Sequence, residues 1–271
     1  MSEGADFSAL ARAALAIRRR FLRMHFEAQS GHLGSGLSAI DLLTYLHAAW
    51  LGAADRFILS KGHAASALYA TLHHFGKLSD AELASYYEDG TWLPAHPAPL
   101  GLAVIPVATG SLGHGLAIAS GMAHSYKHLR PTTARVACLL SDGECNEGST
   151  WEAALFAAHH QLDNLIVLVD ANGIQGFGRT AQVLGLEPLV DKWRAFGFDV
   201  RECGGHDFAE LHAAVSGPAR GRPRCVVART VKGKGVSFME NTVDWHYWPM
   251  NDAQYAAAVS ELDLREKALS S

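Results

Sequence analysis

Four short strand-like runs dominate the second half of the chain: RVACLLS (135–141), LIVLVD (165–170), FDVREC (198–203) and RCVVARTV (224–231). Segments with helical periodicity lie between them, at Thr150 to about Gln161, around 187–196 and at 207–216. Strands that alternate with helices are joined by crossovers, and crossovers build a parallel sheet covered on both faces. That alternation predicts an α/β fold, a doubly wound, mostly parallel sheet with helices on both faces. In such sheets ligands bind beyond the carboxyl ends of the strands.

The first half fits the same frame as a helical elaboration. Residues 8–29 carry an apolar stripe at helical spacing, and Arg18-Arg19-Arg20 within them reads as a solvated face. Ser38-x-x-Asp41 resembles a capping box ahead of DLLTYLHAAW, and Ser79-x-x-Glu82 opens a short helix in the same way. Arg56–Ser60 is a further strand candidate, His63–Phe75 and Gly113–Leu129 read as helices, and the segment from Asn251 onward is helical. Ser149-x-x-Glu152 is a third capping-box pattern. Residues 90–110 hold four prolines and read as a long irregular segment, of the kind that is commonly functional. With no long linker, repeat or low-complexity block, residues 1–271 are expected to form one domain.

Composition excludes several classes. A net charge of −4 argues against a nucleic-acid footprint, which needs a basic stripe. No apolar run approaches the roughly 20 residues of a bilayer span and no signal peptide is visible, so the cytoplasm is the expected location and no membrane partner is expected. The four cysteines form no C-x-x-C pair, and three of them sit in or beside strand-like runs as small hydrophobes. Lys232-Gly233-Lys234-Gly235 lacks the P-loop pattern and reads as a flexible strand exit. The Gly-x-Gly-x-x-Gly fingerprint of a nicotinamide-binding protein is absent after the relevant strands.

The stretch with most chemical content is LLSDGECNEGSTWEAALFAAHHQLDNLIVLVDANGIQG (139–176). Asp142 follows one strand run and Asn172 the next, 30 residues on. If those strands are neighbours, a carboxylate and an amide oxygen meet at one sheet edge, a hard-oxygen site suited to Mg²⁺ or Ca²⁺ with phosphates as further ligands. Gly143 would let a phosphate approach the backbone, and the helix N-terminus near 149–151 adds a favourable dipole. Such residues at strand ends also make turns and caps, so the local chemistry alone leaves both readings open.

The stretch resembles the thiamine-diphosphate motif, with Ser141-Asp142-Gly143 at one end and Asn172-Gly173-Ile174 at the other; serine stands where the first glycine is usual. Other segments resemble transketolase signatures in the right order: SGHLGSGLSAIDLL, LSKGHAASALYATL, ATGSLGHGLAIASGMA and TVKGKGVSFMENTVDWH. From about residue 10 to 260 the chain looks like the N-terminal subunit of a split, two-component transketolase.

By this resemblance, Asp142, Asn172 and the carbonyl of Ile174 would hold Mg²⁺ or Ca²⁺, which clamps the diphosphate of thiamine diphosphate with the N–H of Gly143. His63 and His246 match histidines that contact the diphosphate, and His32 one near the thiazolium and substrate. Gly110 and Leu112 match the turn on the aminopyrimidine and thiazole, Glu147 an acidic residue at the subunit interface, and His96 a substrate-hydroxyl histidine. Two surroundings depart from the family pattern. Ala95-His96-Pro97-Ala98 replaces Gly-His-Pro-Glu, and His246 is followed by Tyr247-Trp248 instead of glycine. Those aromatics would narrow the pocket, form a lid or merely pack a loop. His114 stands where glutamine is usual, and its role stays open. His47, His73, His74, His124, His128, His159, His160, His206 and His212 read as packing or surface residues.

The resemblance further implies a partner. The pyrimidine-binding and C-terminal domains of transketolases are not in this sequence and are expected on a separate chain, in an α2β2 heterotetramer. That assembly would transfer a two-carbon ketol unit from a sugar or sugar-phosphate ketose to an aldehyde. The alternatives are a component of another thiamine-diphosphate enzyme, such as a 2-oxo acid dehydrogenase or a deoxyxylulose-phosphate-type synthase, and a noncatalytic module that keeps the fold.

Overall fold

The computed structural model describes residues 6–99 and 104–270. Five parallel strands form one sheet: β1 (Arg56–Leu59), β2 (Val136–Ser141), β3 (Leu165–Ala171), β4 (Asp199–Gly204) and β5 (Arg224–Arg229), in the order β1-β2-β3-β5-β4. The helices are α1 (Phe7–Glu27), α2 (Leu33–Tyr45), α3 (Ala65–His74), α4 (Asp80–Ala84), α5 (Gly115–His124), α6 (Gly148–His159), α7 (Thr180–Val183), α8 (Leu189–Ala195), α9 (Phe208–Val215) and α10 (Asp252–Ser270). The expected α/β architecture is thus the observed one.

Both sheet faces are buried, which is why β2 and β3 are apolar without alternation. Ala137 and Leu139 face one core with Phe21, Leu37, Leu68, Leu211 and Leu262 from α1, α2, α3, α9 and α10. Val136, Cys138 and Leu140 face the other, with Leu116, Ala154 and Trp193 from α5, α6 and α8. Each fully buried leucine here contributes about 1.5–3 kcal/mol relative to exposure. The four cysteines are free and buried in these cores. Among the described residues no helix is long and apolar enough to cross a membrane.

Three local expectations are corrected. Arg18 is buried, unlike its neighbours: a helix advances about 100° per residue, so one of three consecutive residues turns inward. Its guanidinium donates to both oxygens of Asp41, whose carboxylate also accepts from His206 at 2.6 Å. Arg18 and His206 together more than offset the effect of burial and hold the Asp41 carboxyl down at about 2. Ser38 caps nothing; it lies inside α2, which starts at Leu33, and its hydroxyl reaches Asp170 instead. Ser149 and Glu152 form no box either, since Glu147 is the residue that precedes α6. The Ser79–Glu82 box is formed in full. Part of the irregular 90–110 segment, residues 100–103, lies outside the described residues.

Candidate active site

Adjacency of β2 and β3 brings the two acidic-turn ends together. Ser141 pairs with Asp170 in register, so Asp142 and Asn172 leave the sheet side by side. The Asp142 carboxylate accepts from the Gly143 N–H at 2.7 Å, from the Gly173 N–H at 2.7 Å and from the Thr180 hydroxyl at 3.2 Å. Burial and the neighbouring Asp170 charge still push its carboxyl above the ordinary range. A carboxylate in that condition is short of positive charge, which a bound cation would supply. Among the described residues, Asn172 Oδ1 accepts only from the Ile174 N–H, at 3.1 Å.

The carbonyls of Ile174 and Gln175 both accept from the ammonium of Lys232 at 3.2 Å. This loop therefore already offers its carbonyl oxygens to a positive charge. Lys232 is fully buried; burial, and next the Lys61 charge, lower it to about 8. Among the described residues no group of three or more His, Cys, Asp or Glu side chains is arranged around a metal. The donor set at this edge is one carboxylate, one amide and one carbonyl, which suits a hard cation that takes phosphate oxygens as further ligands.

Four histidines from distant segments converge above this edge. His32 lies 5.8 Å from His63, 6.1 Å from His96 and 5.0 Å from His246, measured between ring centres, and His63 lies 5.8 Å from His246. Burial lowers all four imidazoles, His63 well below its ordinary value and His246 to about 3, with mutual repulsion and the lysine charges adding to the effect for His32, His63 and His246. At neutral pH these rings are uncharged hydrogen-bonding groups. His32 precedes α2 with φ +68, a left-handed conformation that costs a non-glycine residue energy and concentrates at functional sites. Its N–H donates to the His246 carbonyl at 3.0 Å, which ties the two segments together.

Glycine sets the spacing beside His63. A Cβ on Gly62 would stand 2.8 Å from the backbone of Thr109 and Gly110, and one on Gly110 would stand 3.2 Å from the His96 ring. Gly110 therefore lies directly against the His96 ring. Leu112 accepts at its carbonyl from the His114 ring at 3.2 Å, and His114 itself is exposed at the start of α5.

Glu147 is exposed and packs its side chain beside Gly113. The neighbouring Glu144, which sequence reasoning passed over, is the buried acid. It accepts from the Ser60 hydroxyl, from Gly113 N–H at 2.9 Å and from Ser141 N–H at 3.3 Å, which fastens the ends of β1 and β2 to the turn before α5. Asp170 and Lys61 were also missed. They form an ion pair at 2.5 Å with both side chains wholly buried. Burial pushes the Asp170 carboxyl up, but Lys61, with hydroxyl donors from Ser38 and Thr230, outweighs it and holds the group below the ordinary range.

A histidine cluster over a Gly-lined, oxygen-rich edge places the candidate site at the carboxyl ends of the strands, where doubly wound α/β folds bind ligands. Residues 11–268 match the family described as the thiamine diphosphate binding domain of transketolase, and the chain belongs to that family. It is 36% identical over 263 residues to an apulose-4-phosphate transketolase subunit of Phocaeicola vulgatus, covering 93% of each chain. It is 39% identical over 246 residues to the 6-deoxy-6-sulfo-D-fructose transketolase subunit SqwG of a Clostridium species, covering 86% of this chain and 88% of that one. The solved transketolase from Leishmania mexicana superimposes with a TM-score of 0.81 at 25% identity over 99% of this chain. This chain spans 46% of the length of that protein.

Proposed function

We propose that this chain is the diphosphate- and metal-binding subunit of a two-component transketolase, which moves a two-carbon ketol unit from a ketose donor to an aldehyde acceptor. The observation that carries the reading is the convergence of His32, His63, His96 and His246 beside the Asp142–Asn172 edge. Asp142, Asn172 and the Ile174 carbonyl hold Mg²⁺, or Ca²⁺ in its place. Gly143 N–H, His63 and His246 bind the diphosphate. Gly110 and Leu112 support the rings, Glu147 faces a neighbouring subunit, and His32 and His96 donate to substrate hydroxyls.

Thiamine diphosphate, when bound, supplies the carbon nucleophile and electron sink that ketol transfer needs. The protein's share is positioning. Neutral imidazoles donate hydrogen bonds to phosphate and hydroxyl oxygens without bringing several charges together, and each can pass a proton once an anion raises its basicity.

Residues 1–271 act as one domain in this reading, and a separate chain provides the pyrimidine-binding and C-terminal domains in an α2β2 assembly in the cytoplasm. Two relatives named as subunits for a ketose phosphate and a sulfonated ketose support both the split and a donor with an anionic tail. The test compares ketose phosphates with pyruvate as donors for the assembled enzyme. Turnover of ketoses with little or none of pyruvate is expected. The reverse preference would assign the chain to a 2-oxo acid enzyme or a deoxyxylulose-phosphate-type synthase.

A further inference from the structure

A second cavity lies at the amino ends of the strands, at the far end of the sheet from the histidine cluster. Asp199 and Arg224 are the first residues of β4 and β5 and pair in register. These strands run parallel to β2 and β3, whose carboxyl ends lead into Asp142 and Asn172. At about 3.3 Å per residue, the length of β5 separates the two ends of the sheet by roughly 15–20 Å.

Arg224 builds the cavity wall. Its buried guanidinium donates to one Asp199 oxygen at 2.9 and 3.1 Å, and to the carbonyls of Val215, Ser216, Gly217 and Pro218 at 2.7–3.1 Å. These bonds fix the segment between α9 and β5, and the Gly221 N–H on Asp163 at 3.2 Å holds its far side. The cavity measures about 440 Å³, within the range of small-molecule pockets. Four guanidiniums, of Arg201, Arg220, Arg222 and Arg224, line it against the single carboxylate of Asp199. The second Asp199 oxygen accepts from Arg201 at 3.3 Å, so both of its oxygens are engaged.

Among the described residues the side chains of Arg220 and Arg222 have no hydrogen-bond or ion-pair partner. Arg220 stands at φ +48, a left-handed conformation that costs a non-glycine residue energy and concentrates at ligand sites. Solvated arginines on an ordinary loop need neither a cavity nor a buried arginine that shapes its wall.

We propose that this cavity binds a small metabolite with two phosphate groups, one on each free guanidinium. The planar guanidinium fork meets two phosphate oxygens at once, which suits arginine to this task.

The experiment uses the assembled enzyme with its partner chain, saturated with thiamine diphosphate and Mg²⁺ so that the diphosphate site is filled. Calorimetry follows two probes, inorganic phosphate and glucose 1,6-bisphosphate, which has neither a ketone nor a free aldehyde and cannot enter ketol transfer. The bisphosphate is expected to bind about tenfold more tightly than inorganic phosphate. Arg220→Gln/Arg222→Gln is expected to weaken bisphosphate binding at least about tenfold, with kcat and KM for ketol transfer within about twofold of wild type. Both arginines are exposed, so the melting temperature should be unchanged. Binding is read without turnover, so a failure of the ketol-transfer reading is seen separately. A wild type that binds no bisphosphate at millimolar concentration would overturn the proposal. So would a double variant that binds it as tightly as wild type, or a bisphosphate held no more tightly than inorganic phosphate.

Discussion

Replacing Lys61 with methionine is expected to destabilise the protein by about 3–5 kcal/mol, a fall in melting temperature of roughly 10 °C for a chain of this size. The methionine fills much the same volume, so the loss is electrostatic. Asp170 would be left as a wholly buried carboxylate with hydroxyl donors from Ser38 and Thr230 but no cation. The double variant Lys61→Met/Asp170→Leu removes both charges and should recover most of the loss, as buried pairs replaced together commonly do. Acid titration gives an independent readout. The folded Asp170 carboxyl lies below its unfolded value, so its contribution is present above about pH 4 and is lost as pH falls through the folded value. Thermal denaturation of the three variants checks this; a Lys61→Met variant as stable as wild type would show that the pair does not hold β1 to β3.

Replacing Asp142 with alanine is expected to weaken metal-dependent binding of thiamine diphosphate by at least about 100-fold in the assembled enzyme, a direct-ligand loss at least as large as the 10–100-fold typical of outer partners. Asp142 is the sole carboxylate in its oxygen set, and its neighbour Asp170 is already paired with Lys61. Thermal melting is measured alongside, because the variant also leaves the Gly143 and Gly173 N–H groups and the Thr180 hydroxyl without their acceptor. Calorimetry with and without Mg²⁺ measures the effect. Unchanged affinity would mean that the cation, if one binds, sits elsewhere.

The sheet was legible because β2 and β3 are buried on both faces, and such strands announce themselves as unbroken apolar runs. The ends of those runs gave Asp142 and Asn172, and glycine beside histidine gave His32 and His63. Glu144, Lys61 and Asp170 were not legible for the opposite reason. Each is an ordinary charged residue whose partner lies far along the chain: Ser60 is 84 residues from Glu144, and Lys61 is 109 from Asp170. Only the crossover order brings them together. Ser38 misled in the same way, since a serine three residues before an acid looks like a cap until the helix is seen to begin at Leu33. Lys232 looked like part of a flexible exit because its glycine neighbours are conspicuous, whereas its own side chain turns inward to two carbonyls.

The central claim is that this edge is half of a catalytic site, completed by a second chain. Its most direct test is the rate of ketol transfer from a ketose phosphate to an aldehyde with thiamine diphosphate and Mg²⁺, measured for this chain alone and after addition of its pyrimidine-domain partner. Turnover that appears only in the mixture and saturates at one partner per chain is the predicted result. Sustained turnover by this chain alone would contradict it.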